Sequence, residues 1–241
     1  MQRIHLIESK KEKLEQLLRR YSDAGKTYAE FSSCKKDAYL YTSILGLRAC
    51  PYCNINHVYT VYTNPEHSEN PVLRPDIDHF EPKSEATNLT LKQNNLIPSC
   101  QQCNSRVKLR KIFSNNTHIH PYLDDFNEIM SFTISIKTTN YTDSKSFNID
   151  FKSNPKASID DINKAKNSIR DLALVERYHY HKEDVVDVFK KAKYYGKSRI
   201  REIEELVNAK ELEVALFTHT YEEINQSPLS KLKNDILQII L

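Results

Sequence analysis

Two Cys-x-x-Cys pairs, Cys50-Pro51-Tyr52-Cys53 and Cys100-Gln101-Gln102-Cys103, constrain the folding of this chain more than any other feature. A turn of this kind places two sulfurs on one side of a knuckle. Two knuckles complete the tetrahedral four-sulfur shell that zinc prefers. That shell leaves no open coordination position, so the Zn2+ expected here is structural. The pairs lie farther apart than in a compact zinc ribbon, so a folded insert must sit between them with its ends stapled together. The competing reading is two redox or buried cysteine turns; Pro51 fits a redox motif, but no second thioredoxin feature accompanies it. Cys34 stands apart and is expected to be a buried helix residue.

No apolar stretch approaches the roughly 20 residues of a membrane span. The first residues, Met1 to His5, lead into the charged run Glu8 to Lys13 rather than into an apolar signal-peptide core. The chain is therefore expected in the cytoplasm, with reduced cysteines and no membrane contact. Lys and Arg total 35 against 32 Asp and Glu, a net charge of +3. A polycation that coats nucleic acid is excluded, and any nucleic-acid face must be a local patch. With only 3 glycines, the chain carries neither a Walker A sequence nor a dinucleotide fingerprint.

The expected organisation is three regions. Residues 1–48 read as helical: Ile7, Leu14, Leu17, Leu18 and Tyr21 fall near the spacing of one buried helix face. Gly25 breaks that helix, and a second is expected from about Tyr28 to Leu47. Residues 49–126 hold β-like runs at 57–62, 72–78 and 89–96, a loop from Asn64 to Pro71, and a short helix after Cys100. Residues 127–241 open with two alternating runs, 132–136 and 147–151, that predict a hairpin. Helical stripes follow, among them Ile200, Ile203, Leu206 and Val207, and later Leu232, Ile236, Leu237 and Ile240.

The insert contains Arg74-Pro75-Asp76-Ile77-Asp78-His79-Phe80-Glu81-Pro82-Lys83-Ser84, then Asn94-Asn95-Leu96, then Cys103-Asn104 at the start of the short helix. Phosphodiester hydrolysis needs a base for water, a divalent cation on the phosphate and a group that orients the base. His79 offers an imidazole that is neutral near pH 7. Asp78 and Asn104 offer hard oxygens to Mg2+ or Mn2+. Asn95 can hydrogen-bond and orient His79. In a regular strand Asp78 and His79 point to opposite faces, so both serve one site only if the strand ends or bulges there.

With these pieces the sequence resembles the HNH, or ββα-metal, endonuclease superfamily, and its two cysteine pairs resemble those of the zinc-stapled branch. The resemblance spans residues 48–122. It implies an α+β fold class: a zinc-stapled ββα-metal (HNH) module flanked by helical N- and C-terminal regions. It implies His79 as the general base, Asn95 as the residue that positions it, and Asp78 and Asn104 as ligands of one catalytic cation. Asp76 matches an accessory acid of the family, and His120 in His118-Ile119-His120-Pro121-Tyr122 matches a closing segment of this branch. Where the family often has Lys three residues after the helix Asn, this chain has Val107; Lys108 one residue later can replace it.

Arg106, Lys108, Arg110 and Lys111 follow Asn104 and form a cationic cluster expected to grip a phosphate backbone, with Lys83 as a further contact. The bland alternative for this cluster is a solvated helix face. The helical flanks resemble the nuclease subunits of bacterial anti-phage systems of the Septu and retron-associated kinds. That resemblance implies an ATPase partner on a separate chain. DNA is the expected substrate, RNA is an alternative, and a non-catalytic zinc module that binds nucleic acid or protein is the reading outside enzymology.

Overall fold

The computed structural model describes residues 4, 7–64, 69–85, 87–140, 142–194 and 226–240. Helices and small antiparallel sheets are mixed along the chain. Helix α1 (Glu8–Ser22) buries Leu14, Leu17, Leu18 and Tyr21. Ile7, expected on the same stripe, stays exposed just ahead of the helix. Gly25 stands at φ 65°, a left-handed conformation that glycine adopts without steric cost. The helix expected from Tyr28 to Leu47 is in fact two, α2 (Tyr28–Ser33) and α3 (Lys35–Leu45), because Cys34 is extended between them. A capping box between Thr27 and Glu30 starts α2 and satisfies amides that the helix cannot reach.

Strand β1 (Val61–Asn64) pairs with β2 (Glu69–Leu73). Strand β3 (Asp76–His79) pairs antiparallel with β4 (Leu96–Ser99), so that Asp76 faces Ser99 and His79 faces Leu96. The run expected at 72–78 divides between β2 and β3 at Arg74 and Pro75, where proline has no amide for a ladder. The run at 89–96 is mostly not a strand: short 3-10 turns cover Thr87–Leu89 and Gln93–Asn95, and β4 starts only at Leu96. The short helix Gln102–Lys108 is π-wound, with the Leu109 amide donating to the Asn104 carbonyl at 3.2 Å.

Three tyrosines from outside the hairpin donate to its backbone. Tyr28 reaches the Ile77 carbonyl at 2.6 Å. Tyr41 and Tyr122 both reach the Leu96 carbonyl, at 2.8 and 3.1 Å. The hairpin is thus clamped by α2, α3 and the segment that follows the short helix, mostly at the end where His79 faces Leu96.

Beyond α4 (Phe126–Ile129), strands β5 (Met130–Ile136) and β6 (Phe147–Ser153) form the expected hairpin, with Phe132 opposite Phe151. Helices α5 (Ile159–Asp171), α6 (Leu174–Tyr178) and α7 (Lys182–Tyr194) follow. The helix Ser230–Ile240 then buries Leu232, Ile236 and Leu237. The stripe Ile200, Ile203, Leu206 and Val207 lies outside the described residues. Among the described residues a continuous core joins side chains of these parts other than the β1–β2 sheet, from Leu17 and Tyr41 through Tyr52, Phe80 and Phe113 to Phe132, Tyr178 and Ile236. No helix among the described residues is long and apolar enough to cross a membrane.

Candidate functional site

The four sulfurs of Cys50, Cys53, Cys100 and Cys103 lie within 4.8 Å of one another, and all four residues are buried. Cys53 and Cys100 are 3.9 Å apart, sulfur to sulfur. A tetrahedron with metal–sulfur bonds of about 2.3 Å has edges of about 3.8 Å, so the donor set fits and could hold a structural metal such as zinc. The surroundings suit sulfur in its anionic form. The amides of Ile55, Cys100 and Cys103 each donate to a cluster sulfur at 3.4 Å. Asn56 Nδ2 donates to Cys100 Sγ at 3.3 Å, and Arg177 Nη1 donates to Cys103 Sγ at 3.2 Å. Burial alone would weaken the Arg177 charge, yet the negative charge of the cysteine thiolates holds its pKa above the ordinary value. Tyr178, its neighbour, donates to the Cys53 carbonyl at 2.5 Å.

The hairpin β3–β4 presents the remaining expected residues. Asp76 and Asp78 face the short helix, and His79 turns the other way, as strand alternation requires. Strand β3 ends at His79. Asn104 Nδ2 donates to Asp76 Oδ2 at 3.1 Å, and Ser105 Oγ donates to the same oxygen at 3.4 Å. The structure therefore joins Asn104 directly to Asp76, the residue given the accessory role above.

Asp78 is occupied otherwise. Its Oδ2 accepts from Lys108 Nζ at 2.6 Å and from Tyr52 Oη at 2.7 Å. Lys108 also donates to the His79 carbonyl. Burial raises the Asp78 carboxyl above its usual range, while the Lys108 ammonium pulls it down. Burial likewise lowers Lys108, against the pull of Asp78. Lys108, expected on a solvent-facing cationic cluster, is 3% exposed. It binds a carboxylate inside the molecule, one helical turn from Asn104, because that helix face lies against β3.

His79 is 8% exposed, with Nε2 2.9 Å from the Thr90 carbonyl. A carbonyl can only accept, so Nε2 carries the hydrogen and the lone pair is on Nδ1. Burial pushes the imidazole down to about 4, so it is neutral at pH 7. Its ring stands edge-on to Tyr28, 4.3 Å between centroids, and Lys83 Nζ caps the same tyrosine ring at 4.1 Å. Asn95 does not bond the imidazole. Its side chain donates to the Glu81 and Leu89 carbonyls, at 3.1 and 3.2 Å, and accepts from the Glu81 amide at 2.7 Å. It fixes the chain just after His79 and just before Thr90, holding His79 from both sides through the backbone.

Arg106 and Arg110 are exposed beside the short helix, and Lys111 Nζ reaches the Asp171 carbonyl at 2.5 Å. His120 is buried against Phe80, with ring centroids 4.2 Å apart. Its Nδ1 accepts from the Tyr122 amide at 3.1 Å, and burial pushes it down to about 4. His118 bonds Asp171 at 2.9 Å. Tyr28, Tyr52, Thr90 and Arg177 are contacts that sequence reasoning missed. Only Tyr52 carried a local signal, its place between two cysteines. Comparison of the chain with protein-family models, with curated proteins and with solved structures finds no match.

Proposed function

We propose that this chain is a metal-dependent HNH endonuclease that hydrolyses the phosphodiester bonds of DNA, stapled by a structural zinc ion at its four cysteines. The observation that carries this reading is the state of His79. It is neutral, with Nε2 tied to a backbone carbonyl and Nδ1 left as the base, at the end of a strand whose other face places Asp76 beside Asn104. A hairpin followed by a short helix is also the order of elements that the family resemblance implies.

In this reading His79 Nδ1 takes the proton of the attacking water as the water oxygen bonds phosphorus and the bond to the leaving oxygen breaks. Asp76, Asp78 and Asn104 would hold a divalent cation, Mg2+ or Mn2+, through hard oxygens. When bound, that cation offsets the charge that builds on the phosphate. The side-chain amide of Asn104 turns its oxygen to a cation by rotating end for end. Lys108 keeps Asp78 ionised and aligned, and Asn95 keeps the His79 backbone in place. Arg106 and Arg110, both exposed, would contact the phosphate backbone of the bound polymer. The physiological setting we propose is bacterial anti-phage defence, with an ATPase partner restraining the nuclease.

The test is cleavage of plasmid DNA and of a long RNA with Mg2+ or Mn2+. His79→Ala is expected to lower the rate by about 10²–10⁴-fold while the chain still folds cooperatively and holds its zinc, at a melting temperature lowered by the loss of a buried ring. Cleavage by this variant at the wild-type rate overturns the reading.

A further inference from the structure

A cleft of about 480 Å3 opens on the Asp76 side of the hairpin, within the range of about 300–1,000 Å3 for small-molecule sites. Two features of its lining are unexplained by the roles described above. Ser99 lines it, is fully buried, and its hydroxyl has no hydrogen-bond partner among the described residues. Such a group is costly unless a ligand or water completes it. Tyr59 lines it too, yet is 45% exposed, and its ring lies 5.4 Å from that of His57, inclined at 54°. Asp76 forms part of the wall, so the cleft shares a residue with the candidate centre.

Exposed aromatic rings beside an unsatisfied buried hydroxyl suit a planar ligand with a polar edge. A nucleobase is such a ligand: its face stacks on aromatic side chains, and its edge takes hydrogen bonds. In a fully paired duplex both are covered, by the neighbouring bases and by the pairing partner. Only an unpaired base can enter.

We propose that this cleft receives an unpaired nucleobase adjacent to the bond being cut, which makes the substrate class single-stranded nucleic acid or a duplex carrying an unpaired nucleotide. The proposal rests on the endonuclease reading. The face of the base lies on Tyr59 with His57 at its side, its polar edge meets Ser99, and the neighbouring phosphate falls toward Asp76 and Asn104.

Binding is measured by fluorescence anisotropy with short labelled DNA of one sequence in three forms: single-stranded, fully paired, and paired with one unpaired nucleotide. Ca2+ is the added divalent ion, and the probes are checked to be intact afterwards. The wild type is expected to bind the first and third forms roughly tenfold more tightly than the second. Tyr59→Ala is expected to erase that preference and Tyr59→Phe to retain it. Equal binding of the three forms by the wild type, binding of none, or a preference that survives Tyr59→Ala overturns the proposal. Should Tyr59→Ala not fold, the wild-type comparison decides by itself. The endonuclease reading fails separately: a chain that prefers unpaired probes but cuts no polymer with Mg2+ or Mn2+ keeps the cleft and loses the hydrolysis.

Discussion

Lys108 carries a charge that the interior tolerates only because Asp78 stands 2.6 Å away. Removing one partner of a buried pair leaves the other uncompensated, whereas removing both is nearly neutral. Lys108→Met is therefore expected to cost about 3 kcal/mol in urea unfolding, and Lys108→Met with Asp78→Asn to recover most of it, because an amide still accepts from Tyr52. A double variant no more stable than the single one contradicts this. His120 makes a second residue-scale case. Its imidazole titrates near 4 in the folded chain, against 6.5 ordinarily. Between those values the unfolded chain binds more protons, so stability falls as pH drops from about 6.5 to about 4, by about 1.4 kcal/mol per pH unit. His120→Gln, which keeps an acceptor for the Tyr122 amide, is expected to flatten that slope by close to one proton. An unchanged slope across this window would sink the assignment.

At the scale of elements, β4 depends on donors from far along the chain. The Leu96 carbonyl receives both Tyr41 and Tyr122. Tyr41→Phe and Tyr122→Phe are each expected to cost about 1 kcal/mol, and together more than the sum by at least about 0.5 kcal/mol, since the double variant deprives one buried oxygen of both donors. Strict additivity in the double-mutant cycle argues against shared support. These elements also show what could be read in advance. Apolar periodicity located α1, and alternation located the β5–β6 hairpin, because both signals are local. The cysteine pairs were legible for the same reason. The segment 89–96 departs from the strand its apolar residues predict, because two 3-10 turns flank Thr90 and Leu91 and the Thr90 carbonyl is taken up by His79. The Cys34 break was invisible, since no proline or glycine marks it. Lys108 looked like surface charge, and only the packing of its helix on β3 turns it inward. Tyr28, 51 residues before His79, gave no hint of its contact.

For the whole molecule, the thiol cluster is the junction. Cys50 and Cys53 precede the hairpin, Cys100 and Cys103 follow it, and Arg177 and Tyr178 brace the cluster from α6. Tyr52 carries the same junction to Asp78. Metal binding at such a site is folding free energy. The purified chain is expected to hold one zinc by atomic emission, and a strong chelator to lower its melting temperature by more than about 10 °C in a single transition, with Cys100→Ser doing the same. A stripped chain that melts at the wild-type temperature would show that the sulfurs support themselves. The braces also arrive late. A ribosome that has just added Cys103 has delivered all four sulfurs and the whole β3–β4 hairpin, but Arg177 and Tyr178 come 74 and 75 residues later. At about 5–20 residues per second that interval is about 4–15 seconds. During it the growing chain carries every candidate catalytic side chain without the arginine and tyrosine that hold the cluster in place. A message broken anywhere in that stretch yields a product that carries the four sulfurs and neither brace.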